Sequence, residues 1–169
     1  MNEPRKIGFS MYALAAALLI GLLTALFSGM LSHRSNPNKH PTSVHTADGQ
    51  VQIVLQRNSG GHYVASGRLN NEEVVFMVDT GATTVAVPQE LADKLALEPG
   101  QQITTHTANG MTTAYTTTIS SLQLGDIIEY DIDAVLIPNF TGGEILLGMS
   151  FLERLGFSQR GDTLILESH

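Results

Sequence analysis

The sequence contains no cysteine among its 169 residues. This absence excludes disulfide bridges and zinc sites built on thiolates. Histidine is the other common zinc ligand, but His40 and His45 lie in a polar, proline-containing stretch without a cluster of carboxylates. Imidazoles in such a stretch are usually solvated, so we expect no metal site and no cofactor.

Basic side chains are scarce in most of the chain. From Val51 onward the sequence has 5 Lys or Arg against 14 Asp or Glu. A nucleic-acid groove needs a basic surface, so we expect no nucleic-acid partner, and attraction to anionic lipid headgroups is disfavoured as well. The sequence also has no internal repeat, phosphate-binding loop or nucleophile elbow.

Charge is absent altogether from one long segment. From Ile7 to Ser32, a run of 26 residues, Tyr12 has the only ionisable side chain. About 20 apolar residues span a bilayer, whereas the apolar part of a cleaved signal peptide has ~7–15 residues and precedes a small-x-small site. This run is longer and does not end in such a site. We therefore predict an uncleaved transmembrane signal anchor over residues 7–32.

Basic residues are nearly balanced on the two sides of this anchor, with Arg5 and Lys6 before it and Arg34 and Lys39 after it. A short tail whose basic pair adjoins the span more often stays in the cytoplasm. We therefore expect residues 1–6 to be the cytoplasmic tail of a single-pass protein of the inner (cell) membrane. The rest of the chain is then periplasmic or otherwise extracytoplasmic.

Small residues recur every four positions along the anchor, at Ala13, Ala17, Gly21, Ala25 and Gly29. Such a row lets two membrane helices approach closely. Ala and Gly are also common in membrane helices in general. The row is therefore open to two interpretations, a face for helix self-association or the ordinary composition of a membrane helix.

The segments beyond the anchor differ in pattern. Residues 33–49 are polar, contain two prolines and lack apolar periodicity, which predicts a flexible tether. In residues 50–169 short alternating segments recur between turn signals, which predicts a folded domain. The predicted strands cover 51–56, 62–69, 74–79, 84–87, a hairpin over 103–119, 127–137, 145–148, 156–159 and 163–168, and helices are predicted over 88–97 and 149–155. This pattern indicates an all-β fold, a small closed barrel with two short helices, preceded by one transmembrane helix.

The most informative segment is VVFMVDTGATT, residues 74–84. A buried strand normally excludes a carboxylate, since an unpaired buried charge costs several kcal/mol or changes its protonation. Here an apolar strand delivers Asp79 into a turn with Thr80, Gly81 and Ala82, which indicates a carboxyl group placed for chemistry. The simpler alternative is an ordinary Asp-Gly turn with a solvated Thr80.

A second motif follows in a definite order. After D-T-G-A come a short helix, a hairpin tipped by Asn109 and Gly110, and then the triplet from Leu146 to Gly148, which leads into a second helix. This order resembles that of the retropepsin-like aspartic proteases, especially their membrane-anchored bacterial members. The resemblance covers roughly Val51 to Glu167.

The resemblance implies a role for each motif. Asp79 is the catalytic carboxylate, and Thr80, Gly81 and Ala82 support it. Asn109 and Gly110 tip a flap that closes over an extended peptide, and Leu147 and Gly148 lie near the substrate or in the core.

Catalysis in this family needs two carboxyl groups that share one proton, but the chain has a single D-T-G. The second Asp79 must therefore come from another copy of the chain, which predicts a membrane-anchored homodimeric aspartic endopeptidase. The alternative is a catalytically inactive dimeric peptide-binding module or a scaffold of the same fold.

Ala82 stands where many relatives with two lobes in one chain carry Thr or Ser. A hydroxyl there stabilises the ionised carboxylate by hydrogen bonding. Its absence predicts activity that persists nearer to neutral pH.

Overall fold

The computed structural model describes residues 3–107 and 110–169, and the chain divides into two compact units between Ser35 and Asn36. The first unit contains one long helix, α1 (Glu3–Ser35). Within it, the 20 residues Met11–Met30 have a mean hydropathy of 2.1 and are exposed along their whole length. This helix is long and apolar enough to cross a bilayer, and a signal sequence has the same properties.

The second unit is built mainly of strands, as predicted. Among its described residues are one 3-10 turn (Gln89–Leu91) and one short helix, α2 (Met149–Leu152). Its strands are β1 (Thr42–His45), β2 (Val51–Gln56), β3 (Val64–Leu69), β4 (Glu72–Val78), β5 (Val85–Pro88), β6 (Gln102–Thr107), β7 (Gly110–Leu124), β8 (Ile127–Ile137), β9 (Glu144–Leu147), β10 (Gly156–Arg160) and β11 (Thr163–Glu167).

The strands form two sheets. The smaller sheet has the order β1-β2-β11-β10, and the larger has the order β3-β4-β9-β5-β8-β7-β6. An additional antiparallel pairing joins β3 to β7, so the strands from β3 round to β7 form a continuous ring of pairings. The core lies inside these sheets because alternate residues of each strand point inward. In β2 and β11, for example, Leu55 lies opposite Leu164 and Ile53 lies opposite Leu166, and all four are buried.

Both predicted helices are shorter than expected. The first, predicted over 88–97, is reduced to the 3-10 turn and the hydrogen-bonded turns that follow it, and it cannot continue through Ala96, whose φ of +51° a right-handed helix excludes. Leu95 and Leu97 are nevertheless buried in the core, so the apolar spacing reflects packing rather than helix. The second helix ends at Leu152 rather than at residue 155.

The flexible tether expected over residues 33–49 is also wrong for most of its length. From Asn36 onward the chain belongs to the folded unit, and β1 pairs with β2 along four residues. His45 and Asp126 form an exposed hydrogen bond (Nε2 to Oδ2, 2.9 Å). Within the described residues no group of His, Asp and Glu suited to a metal ion occurs. The search for apolar periodicity gave no sign of this structure, because polar side chains attach the segment to the rest of the folded unit.

Candidate active site

The Asp79 loop begins where β4 ends. β4 runs parallel to β9, with Val78 opposite Leu147, and the Asp79 amide donates a hydrogen bond to the Leu147 carbonyl (3.1 Å). The loop closes on itself, since the Ala82 amide donates to the Asp79 carbonyl (3.2 Å). Two strands and a tight turn therefore fix the backbone that carries the carboxylate.

The Asp79 carboxylate is partly exposed and is oriented by the loop itself. Its Oδ1 accepts a hydrogen bond from the Gly81 amide (2.9 Å). A Cβ at Gly81 would lie 3.1 Å from the same oxygen, closer than most side chains tolerate. Glycine thus permits this close approach of backbone to carboxylate. Thr80 is exposed beside it, and its hydroxyl has no partner within the described part of the chain.

The first turn of α2 packs directly beneath this loop. The Met149 amide donates to the Ala82 carbonyl (2.9 Å), and the Ser150 amide donates to the Thr83 carbonyl (3.0 Å). A Cβ at Gly148 would overlap with the Thr84 carbonyl oxygen and would lie 2.8 Å from that of Ala82. The two motifs recognised in the sequence are therefore one structural unit, and Gly148 is needed for their contact.

Ser150 is a supporting residue that the sequence interpretation missed. Its Oγ accepts a hydrogen bond from the Val85 amide (3.0 Å) and donates one to the Asp133 carbonyl (2.7 Å). It therefore joins α2 to β5, the strand that follows the Asp79 loop, and to β8, which pairs with β5. The only sequence signal was a small hydroxyl residue just after the glycine of the second motif.

Replacing Ser150 with alanine should lower the free energy of unfolding by about 1–3 kcal/mol, because the buried Val85 amide loses its acceptor. The measurement is the denaturation midpoint of the full chain in detergent. Ser158→Ala, at an exposed position of β10, is the matched control. Equal midpoints for the two variants would show that the Ser150 hydroxyl contributes nothing.

Leu147 and Gly148 lie in the interior of the folded unit. Leu147 has no exposed surface, and Gly148 is buried under the Asp79 loop, which agrees with the core alternative, and a contact of either residue with substrate stays a prediction. Because side chains alternate along β9, Leu146 points the other way and is partly exposed. It packs with Ile103 and Phe140 around a small second cluster of buried residues.

The hairpin predicted around Gly110 is present. β6 and β7 pair antiparallel up to Thr107 opposite Gly110, and Gly110 is exposed with a φ of +105°. The neighbouring Met111 is 70% exposed. Asn109, the other predicted tip residue, lies outside the described residues.

A cleft of about 1020 Å³ extends from the end of the Asp79 loop towards this hairpin. Its wall contains Thr83 and Thr84 of the loop and hydroxyl residues of β7, with Glu98 and Asp133 as its charged groups. Asp79 itself does not line the cleft. The cleft therefore adjoins the carboxylate rather than enclosing it.

Comparison with known proteins settles the family. The model of the family described as "gag-polyprotein putative aspartyl protease" matches residues 65–154, from β3 to α2 and through the Asp79 loop. The crystal structure of a retropepsin-like aspartic protease from Rickettsia conorii is 32% identical in sequence, with a TM-score of 0.60, and the match covers 76% of this chain and 95% of that one. The chain belongs to the retropepsin-like aspartic proteases. The predicted family and the predicted β fold are thus confirmed.

Two curated relatives of this retropepsin-like chain are longer. An uncharacterized protein from the cobV 5′ region of a Sinorhizobium species is 31% identical over 152 residues, which cover 88% of this chain and 63% of that protein. The uncharacterized protein RP867 of Rickettsia prowazekii (strain Madrid E) is 35% identical over 119 residues, which cover 68% of this chain and 51% of that protein. The chain thus spans less than two thirds of the length of either relative.

Proposed function

We propose that this retropepsin-like protein is a membrane-anchored aspartic endopeptidase whose active site forms between the Asp79 residues of two chains. One observation carries the proposal. A partly exposed carboxylate is held by the backbone of a rigid loop, in a family whose chemistry uses such carboxylates in pairs. The N-terminal helix supplies the anchor, and the folded unit lies outside the cytoplasm.

The mechanism follows from the properties of two close carboxyl groups. Like charges about 3 Å apart cannot both ionise, so the pair holds one proton and divides into an acid and a base. The base takes a proton from a water as that water attacks the peptide carbonyl. The acid protonates the developing oxyanion, and a proton is then delivered to the departing amine. Titration belongs to the pair and not to either residue.

A second chain is needed because one chain provides only one catalytic aspartate. The sequence has a single D-T-G, and its carboxylate reaches the surface without a second one beside it in the described structure. Around a two-fold axis at Asp79, each loop meets its own copy. The exposed Thr80 hydroxyl is then available to donate a hydrogen bond across the axis and to fix the two loops together.

The substrate proposed for this site is an extended peptide. The hairpin of β6 and β7 offers a strand edge to which a peptide can add through backbone hydrogen bonds, and its proposed role is that of a flap that closes over the peptide. The partly exposed side chains of Ile103, Phe140 and Leu146 provide apolar surface for substrate side chains.

Cleavage of a peptide library by the full chain in detergent tests the function, with products identified by mass spectrometry. We expect internal cuts, without any added metal ion or cofactor. Binding of peptides without any cut, across the pH range, would instead support the peptide-binding module.

Replacing Ala82 with threonine should move the acidic limb of the pH–rate profile to lower pH, by about 0.5–1 unit. The new hydroxyl donates a hydrogen bond to the ionised carboxylate of the dyad and stabilises it. The catalytic base therefore stays ionised to lower pH, and activity is lost at a lower pH than in the wild type. Ala82→Val has nearly the same shape as Ala82→Thr but lacks the hydroxyl, and its profile should keep the wild-type limb. Identical shifts in both variants would assign the effect to bulk and contradict the prediction.

A further inference from the structure

The folded unit begins immediately after the end of α1. α1 ends at Ser35, and the next residue, Asn36, is already buried. Its Nδ2 donates to the Ser66 hydroxyl (3.0 Å), and its Oδ1 accepts from the Asn38 amide (3.0 Å). The last residue of α1 is therefore followed directly by the first residue of the folded unit.

Asn38 attaches the chain more firmly still. Its Nδ2 donates to the carbonyls of Gln56 (2.9 Å) and Val64 (2.7 Å), and its Oδ1 accepts from the Gln56 amide (2.7 Å). Its own carbonyl accepts from the Ser66 amide (3.0 Å). Releasing Asn38 would leave these buried donors and acceptors without partners, at a cost of about 1–3 kcal/mol for each. The hydrogen bonds of Asn38 therefore hold this part of the chain against the fold.

The attachment continues through β1. Four residues of β1 pair with β2, and the Ser43 hydroxyl accepts a hydrogen bond from the Asp126 amide (3.0 Å). We call residues 36–45 the strap. The strap is part of the smaller sheet, and its release would also expose one edge of β2.

The strap limits the reach of the enzyme from the bilayer. The apolar window of α1 ends at Met30, and the five residues from there to Ser35 are helical, which amounts to about 8 Å at ~1.5 Å per residue. A flexible tether over residues 33–49 would instead have spanned about 23 Å on average and more when extended.

We propose that the substrates are membrane-proximal segments of other membrane proteins. This inference rests on the proposed anchored endopeptidase. A folded unit of this size has a diameter of about 35–40 Å, so every point of its surface lies within about 45 Å of the bilayer, whatever its orientation. Sites in this layer meet the enzyme at high effective concentration, and sites farther out are beyond reach.

The test uses vesicles that contain the full chain and a single-span substrate. One substrate carries a library-selected cleavage sequence about ten residues from the bilayer, and the other carries it beyond a rigid helical spacer of about 80 Å. We expect the near site to be cut at least ten times faster. Inserting about 40 Gly and Ser residues between Ser35 and Asn36 should largely remove this difference, because the longer link reaches both sites.

A matched control carries the same insert after Lys6, where it leaves the reach unchanged. Cleavage of a soluble peptide by all three proteins checks that each is folded and active. If no protein cuts that peptide, the endopeptidase proposal fails. If all cut it but wild type cuts near and far sites equally, or the insert after Ser35 changes nothing, the reach proposal alone is overturned.

Discussion

Asp79→Asn protein is expected to lose peptide cleavage by about 10³-fold or more while it keeps its fold. An amide can neither take a proton from the attacking water nor share a proton with the partner carboxyl group, and such steps contribute about 10²–10⁴ each. The substitution is nearly isosteric, and the Gly81 amide still finds an acceptor at position 79. The measurement is kcat/KM on a peptide selected from the library, with circular dichroism as the check on folding.

Asp93→Asn is the matched control, because Asp93 is an exposed carboxylate in the turn after the 3-10 helix. It should cleave at the wild-type rate. Equal cleavage by Asp79→Asn and wild type would falsify the aspartic mechanism.

Mixing the inactive variant with wild type tests the second chain. If each site needs two Asp79 carboxylates, a wild-type chain is active only when its partner is also wild type. With random exchange of subunits, the activity per wild-type chain then falls in proportion to the wild-type fraction, to about half of its original value in an equal mixture. A site complete within one chain would keep its full activity at every ratio. Mixing the Asp93→Asn variant with wild type should leave the rate unchanged.

Gly148→Ala should destabilise the protein by about 3 kcal/mol or more and abolish activity. The new methyl group overlaps with the Thr84 carbonyl oxygen and presses on that of Ala82. Both neighbours are backbone, so no side-chain rotation relieves the contact, and the Asp79 loop must move. The shift in the urea midpoint of the full chain in detergent measures the cost.

Gly156→Ala separates this effect from the general cost of adding a methyl group. A Cβ at Gly156 would meet its nearest atoms, both of Glu167, at 3.7 and 3.8 Å, which is ordinary contact. Its change in stability should stay below about 1 kcal/mol. Similar midpoints for the two variants would contradict the role assigned to Gly148.

Much of the sheet structure was predictable because its signals are local. In β2 the alternation of VQIVLQ identifies both the strand and its inward residues, and β11 behaves in the same way. The Asp79 loop was predictable for a similar reason, since an acid after an apolar strand and before a glycine is recognisable without knowing what lies around it.

The supports of the site were not predictable because their partners are distant in sequence. Ser150 acts on Val85, 65 positions away, and Asn38 bonds to residues 18 and 26 positions away. A single polar residue has no periodicity, so nothing near Asn38 distinguishes it from the solvated residues of a linker. The helix predicted over 88–97 failed for the opposite reason, because a regular apolar spacing arose from core packing around an Ala96 in the left-handed region.

The contact between the Asp79 loop and the start of α2 also bears on biosynthesis. Asp79 leaves the ribosome well before Leu147, whose carbonyl receives its amide, and before Met149 and Ser150, which hold the following residues. At about 5–20 residues per second the delay is ~4–14 s. A nascent chain in this interval has the aspartate but not the scaffold that orients it. The scaffold that holds the Asp79 loop is therefore complete only after residues 147–150 have been translated.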